Sequence, residues 1–313
     1  MSATVVGSVL RIATRKSPLA LWQAEHVATL LRGAHTGLDV ELVPMSTQGD
    51  RIQDRSLAAI GGKGLFIKEL EVALAERRAD IAVHSMKDVP AEMPEGFVIA
   101  AFLARADPRD ALLSRRGSAL TDLPEGAKVG TSSLRRRAQI LAARPDLSIE
   151  PLRGNVDTRL SRLENGALDA IVLACAGLVR LGLESHITAR LAPGTMLSAV
   201  GQGAIGIECR SDDTHTRALV SALDDALTHT ALAAERSFAR TLGGSCQSPI
   251  AALARVEQGV LTLDGLVAEP DGSRLLRETI SGDCARAATL GEELAQRLLE
   301  SGARELLERL RSA

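Results

Sequence analysis

Apolar residues along the first two-thirds of the chain fall into short runs, separated by longer stretches with helical spacing. Val9 to Thr14 reads as a strand and Pro18 to Arg32 as a helix with proline in its first turn. A second strand, Val40 to Pro44, leads into the polar stretch Thr47 to Gly64, which ends in Gly61-Gly62-Lys63-Gly64. Glycines make such a segment easy to bend, so residues 47–64 are expected to form a mobile lid. Phe66 to Arg77 has helical spacing, and the strand Ile81 to His84 stops at Ser85-Met86-Lys87-Asp88-Val89-Pro90.

Around Leu103 to Pro108 the chain is expected to cross into a second lobe. There Val129 and Gly130 close a strand, and Thr131 or Ser132 is placed to cap a helix running to Ala143. Ile149 to Leu152 is the next strand, followed by Arg153-Gly154-Asn155 and a helix from Val156 to Asn165, with Gly166 as its C-cap. The apolar run Ala170 to Val179 is half a membrane span and reads as a buried strand, strongest at Ile171 to Ala174. Near Ser198 to Gly203 the chain crosses back into a strand at Ala204 to Cys209 and a helix at Asp213 to Leu223.

The last ninety or so residues change period. A helix at Thr230 to Leu242 precedes three alternating strands, Ile250–Glu257, Val260–Ala268 and Arg274–Ser281, with turns at Gln258-Gly259 and Pro270-Asp271-Gly272. Two helices follow. The predicted fold is α/β, with two lobes of mainly parallel sheet around a hinged cleft and a C-terminal α+β domain with a three-stranded antiparallel sheet. The predicted boundaries are 1–103 with 204–223, then 108–198, then 226–313.

Composition narrows the function. A net charge of −2 gives no basic field for nucleic acid, and only 2% of residues are aromatic. The four cysteines stand far apart, so no metal-binding pattern is expected. The opening apolar stretch lacks a preceding basic region, so the expected compartment is the cytosol. Gly201-Gln202-Gly203-Ala204-Ile205-Gly206 matches a dinucleotide fingerprint, but a strand-like run follows it where a helix should start, so that reading is rejected. Gly62-Lys63-Gly64 lacks the Ser or Thr of a phosphate loop.

Of 37 basic residues only five are lysine. Arg15, Arg135, Arg136 and Arg153 all sit just beyond predicted strand ends, where α/β sheets bind ligands, and Arg159 follows one turn later. A planar guanidinium fork suits carboxylates, so a ligand with several of them is expected. Asp88, beside Lys87, is the single acid in that neighbourhood, able to stabilise a developing cation or simply to form an ion pair. Cys246, between Gly243-Gly244-Ser245 and Gln247-Ser248-Pro249, is the best candidate for a reactive thiol, whereas Cys175 reads as core.

These motifs resemble one family. Leu10-Arg11-Ile12-Ala13-Thr14-Arg15-Lys16-Ser17-Pro18-Leu19-Ala20, Gly61-Gly62-Lys63-Gly64-Leu65-Phe66, His84-Ser85-Met86-Lys87-Asp88-Val89-Pro90, Gly130-Thr131-Ser132-Ser133-Leu134-Arg135-Arg136, Leu152-Arg153-Gly154-Asn155-Val156 and Val200-Gly201-Gln202-Gly203 resemble porphobilinogen deaminases, from about Val9 to Leu310. The resemblance implies a transferase that joins four porphobilinogen molecules into hydroxymethylbilane, a linear tetrapyrrole of haem biosynthesis, releasing ammonia at each step. It also implies lobes like those of periplasmic binding proteins, a monomer, and a dipyrromethane cofactor held by a thioether to Cys246. Asp88 matches the catalytic carboxylate. Arg15, Arg135, Arg136, Arg153 and Arg159 match arginines that bind acetate and propionate groups, and Ser17, Lys63, Phe66, Lys87, Thr131, Ser133 and Gln202 match further contacts.

Two departures from the family pattern stand out: Ser245 where glycine is usual, and Ala59 where some members carry a lysine. A non-catalytic two-lobed solute-binding protein is the rival reading, but it needs neither Asp88 among arginines nor a tethering thiol.

Overall fold

The structure is a computed structural model and describes residues 9–47, 67–244 and 248–312. In chain order come β1 (Val9–Arg15), α1 (Pro18–Ala34), β2 (Asp39–Met45), α2 (Lys68–Ala75), β3 (Ile81–Ser85) and β4 (Phe97–Phe102). Next are β5 (Asp110–Ser114), β6 (Lys128–Gly130), α3 (Leu134–Ala143), β7 (Ser148–Glu150), α4 (Val156–Glu164), β8 (Ala170–Ala174), α5 (Cys175–Arg180) and β9 (Ala189–Leu191). The chain ends with β10 (Ile205–Arg210), α6 (Thr214–Val220), α7 (Ala226–Thr241), β11 (Ile250–Glu257), β12 (Val260–Ala268), β13 (Leu275–Asp283), α8 (Ala287–Leu298) and α9 (Arg304–Ser312).

Two compact units result: the described parts of Met1–Ala106 with Ala204–His229, and Asp107–Gly203 with Thr230–Ala313. The first holds a sheet ordered β2-β1-β3-β10-β4, in which β10 runs against both neighbours. The second holds β7-β6-β8-β5-β9, in which β5 alone is reversed. The two sheets therefore share one plan: four strands aligned, the fourth position reversed. In each, the carboxyl ends of the parallel strands line one edge.

Both faces of each sheet are covered, which is why these strands read as apolar runs rather than alternating ones. In the first unit Leu10 and Ile12 pack with Val27 and Leu31 of α1, while Ala13, on the other face, packs with Leu70 and Leu74 of α2. In the second, Leu112, Val129 and Val172 meet Ile140 of α3, and Leu113, Ile171 and Leu173 meet Leu160 and Leu163 of α4.

The sequence reading needs correction at three places here. The run Ala170 to Val179 is not one strand: β8 pairs with β5 over five residues, and Cys175 then opens α5, its N–H donating to Arg109 O. Strands β4, β5 and β9 are additional to those expected from the sequence. The cap of α3 is Ser133, whose hydroxyl accepts from Arg136 N at 3.4 Å, not Thr131 or Ser132.

The antiparallel sheet β11-β12-β13 has its own core around Phe238, Leu290 and Leu294. It also shares one with the second lobe, where Ala138 and Leu197 pack on Ala251, Leu253, Leu266 and Ala268. Gly272, at φ 76°, sits so close to α3 that a Cβ there would lie 2.5 Å from Ala142 N.

Candidate functional site

In the first unit β1 ends at Arg15, and Ser17 then caps α1, its hydroxyl accepting from Ala20 N at 3.4 Å. β3 runs parallel to β1, pairing Ala82 with Ala13, so its end lies on the same sheet edge. There Met86, Lys87 and Asp88 form a single tight turn. Met86 is buried beneath it, packed so close to Gly206 that a Cβ on that glycine would lie 2.2 Å from the Met86 sulfur. The last glycine of the rejected dinucleotide fingerprint thus serves packing within β10. Asp88 is half-buried, and among the described residues its side chain has no hydrogen bond and no ion pair.

In the second unit the loops after β6 and β7 are tied together. Ser132 Oγ donates to Leu152 O and accepts from Leu152 N, both at 3.0 Å. Asn155 caps α4, its side chain accepting from Thr158 N at 2.9 Å. Arg159 Nε donates to Gly154 O at 2.8 Å, and Arg153, half-buried, precedes that glycine. Two anion-favouring helix starts, each with arginines, are thereby held side by side.

Arg135 and Arg136, from the first turn of α3, are 4% and 7% exposed and converge on Asp110, which is 0% exposed. Arg135 Nη1 donates to Asp110 Oδ2 at 2.7 Å, and Arg136 Nη2 to Asp110 Oδ1 at 2.6 Å. Burial pushes the Asp110 carboxyl up, but the two guanidiniums outweigh it and hold that carboxyl well below the usual range. The same burial presses down on the Arg135 guanidinium, and the Asp110 charge opposes it. Gln202, 1% exposed, donates from Nε2 to Pro108 O at 2.7 Å and to Asp110 Oδ1 at 3.1 Å.

Comparisons with known proteins give the family. The family described as "Porphobilinogen deaminase, dipyromethane cofactor binding domain" matches residues 10–218, and "Porphobilinogen deaminase, C-terminal domain" matches 229–300. The chain is 56% identical over 303 residues to "Porphobilinogen deaminase" of Xanthomonas axonopodis pv. citri, covering 97% of this chain and all of that one. The chain belongs to the porphobilinogen deaminase family. Identity and coverage are the same with the protein of that name from Xanthomonas campestris pv. campestris (strain B100). An ABC transporter periplasmic substrate-binding protein from Coxiella burnetii is also similar, with TM-score 0.43 and 19% identity, covering 71% of this chain and 94% of that one.

Family membership makes dipyrromethane the group to test against these residues. Each of its rings carries an acetate and a propionate. The second unit offers a matching donor set: a guanidinium pair at the start of α3, and Arg153 and Arg159 around the start of α4, joined by the Ser132 clip. These residues fit an acidic ligand. Thr131 is buried, its hydroxyl accepting from Ser133 N at 3.2 Å, and Lys87 is half-buried beside Asp88. Lys63, Phe66 and Cys246, like Ala59, Ser245 and all but Thr47 of the expected lid, lie outside the described residues. Cys175 and Cys209 are fully buried, and burial pushes both thiols up to about 11, so neither is a working nucleophile.

Reading the sequence did not identify Asp110, Glu235 or a buried acid cluster in the first unit. In that cluster His84 Nε2 lies 2.6 Å from Glu208 Oε2, and both residues are buried. Glu71 Oε1 and Glu208 Oε1 are buried without a hydrogen-bond partner among the described residues. Burial pushes the Glu71 carboxyl up from 4.5 to about 6; Glu208 adds to the rise and His84 opposes it. A raised carboxyl favours the folded state while protonated, so that contribution is complete below pH 4.5 and is lost as pH rises through about 6. Glu71→Gln is therefore expected to be more stable than the parent at pH 7. Its Tm should also lack the part of the parent's fall between pH 4.5 and 6 that Glu71 causes. Parallel Tm–pH curves would refute it.

Proposed function

We propose that this chain is a hydroxymethylbilane synthase, condensing porphobilinogen units head to tail, with loss of ammonia at each step, on a dipyrromethane held through Cys246. The reading is carried by one observation. A chain of this family has cationic, capped helix starts closing its parallel strands, and at one such strand end it has a carboxylate that no described side chain engages.

Bound dipyrromethane supplies the terminal pyrrole carbon to which the first incoming unit is joined. The chain's own residues do the rest. Asp88 accepts hydrogen bonds from pyrrole N–H groups and stabilises the positive charge that develops on the substrate's methylene as ammonia leaves. Arg15, Arg135, Arg136, Arg153 and Arg159 hold acetate and propionate groups, which orients the reacting carbons. Ser17, Thr131 and Ser133 keep the helix starts in shape for those anions. Residues 47–64 exclude water from the reactive cation. The enzyme acts in the cytosol as a monomer.

Intact-mass measurement is the direct test. Protein purified from cells that make porphobilinogen is expected to exceed the mass of its sequence by two porphobilinogen units less two ammonias, and Cys246→Ala to show the bare mass. A parent protein of bare mass would contradict the proposal.

A further inference from the structure

The Asp110 group carries more positive than negative charge. Two guanidiniums share one carboxylate, and all three side chains are nearly sealed, at 5%, 8% and 0% exposure. Asp110 is the acid that acts on Arg135, and the positive end of the α3 dipole adds to the excess rather than relieving it. A buried excess charge is costly unless an anion meets it.

Hydrogen-bond accounting shows what each guanidinium has left. Arg135 donates to Asp110 Oδ2, to Leu197 O at 2.7 Å and, at 3.4 Å, to Asp110 Oδ1. Arg136 donates twice to Asp110 Oδ1, at 3.0 and 2.6 Å, and to Val172 O at 2.9 Å. A guanidinium has five N–H groups, so each keeps two beyond these bonds. The carboxylate fixes the orientation of both forks while leaving part of each for a ligand.

Asp110 is itself held in place by other residues. Its residue opens β5, level with Ala174 and Leu191 on either neighbour. Gln202 bonds it and Pro108 O together, and Ser198 Oγ donates to the same Pro108 O at 2.7 Å. Glu235 then secures Gly201 N at 2.7 Å. Two of the three chain segments that lead out of this unit, at Asp107 and Gly203, are thus pinned close to the guanidinium pair.

We infer that Asp110 is the positioning residue of this site, orienting Arg135 and Arg136 as one receptor for a cofactor or substrate carboxylate, with Gln202 holding it in place. The inference rests on the function proposed above.

Asp110→Glu tests it, because the charge stays and moves by one methylene. Parent and variant are purified from porphobilinogen-making cells and compared by Tm, intact mass, KM and kcat. A folded variant is expected in which the bare chain predominates. In its loaded fraction KM should rise about tenfold, with kcat within a few-fold, as weakening one hydrogen bond to a charged carboxylate implies. A variant with lowered Tm but parental loading and KM would show that Asp110 is merely structural and overturn the inference. If Asp110→Glu does not accumulate, Gln202→Met, which removes a bond to the same carboxylate and no charge, takes the same readouts. Its expected KM rise is about threefold, and unchanged KM and loading would overturn the inference equally. An unloaded parent would sink the function and this role together, whereas loaded variants with parental KM sink the role alone.

Discussion

Asp88→Asn is expected to fold with the stability of the parent and to lose about 10²–10³-fold in kcat. The two halves of that expectation come from different observations. Asp88 is half-buried at the end of β3, and no described side chain bonds or pairs with it, so an isosteric amide breaks nothing in the fold. Substitutions of that kind shift stability by about 0.5 kcal/mol or less. Catalysis is different, because the amide carries no charge to set against the cation that forms as ammonia leaves. Its N–H₂ group also donates where pyrrole N–H groups need an acceptor. The Tm and the single-turnover rate, measured on the same sample, check both halves. Asp88→Asn with more than about a tenth of parental turnover would leave this carboxylate without its assigned role.

Glu235→Ala is expected to cost about 3–5 kcal/mol of stability. Glu235 lies on α7 at 0% exposure and serves two segments that no regular ladder joins. Its Oε2 accepts from Gly201 N at 2.7 Å, and its Oε1 accepts from Ala254 N, on β11, at 2.8 Å. Truncation leaves two buried amides unsatisfied, at about 1–3 kcal/mol each, together with the space of the lost side chain. Glu235→Gln keeps the shape and one acceptor, so it should cost about half as much. Urea unfolding reads the loss as a lower midpoint at unchanged slope. A midpoint for Glu235→Ala within about 1 kcal/mol of the parent would mean that water or a shift of the backbone satisfies those amides.

How much of this was legible in advance depended on the range of the interaction. The strand–helix alternation that places Arg15, Arg135 and Arg153 at strand ends is a local signal, carried by apolar spacing and by turn residues such as Pro18 and Gly166. Even there, the two hydroxyls expected to cap α3, those of Thr131 and Ser132, are not the one that turns to the helix. The answer depended on Leu152, which takes the Ser132 hydroxyl and leaves Ser133 to cap. Strand β5 was missed because its apolar core, Ala111 to Leu113, is too short to read apart from its reversed pairing with β8.

The sequence by itself determined the family, most of the order of strands and helices, and the gathering of arginines at turns, because hydrophobic period and motif wording are properties of neighbouring residues. Only the tertiary structure decided that Asp110 lies under Arg135 and Arg136, 25 and 26 residues further along, and that Glu235 reaches Gly201 from 34 residues away. The same holds for Glu71, which feels the charge of Glu208. Those encounters follow from sheet order and from the reversed fourth strand, which a residue's local pattern does not encode. They matter most where charge is taken out of water, because a sealed carboxylate acts only on the groups that the fold brings into contact with it.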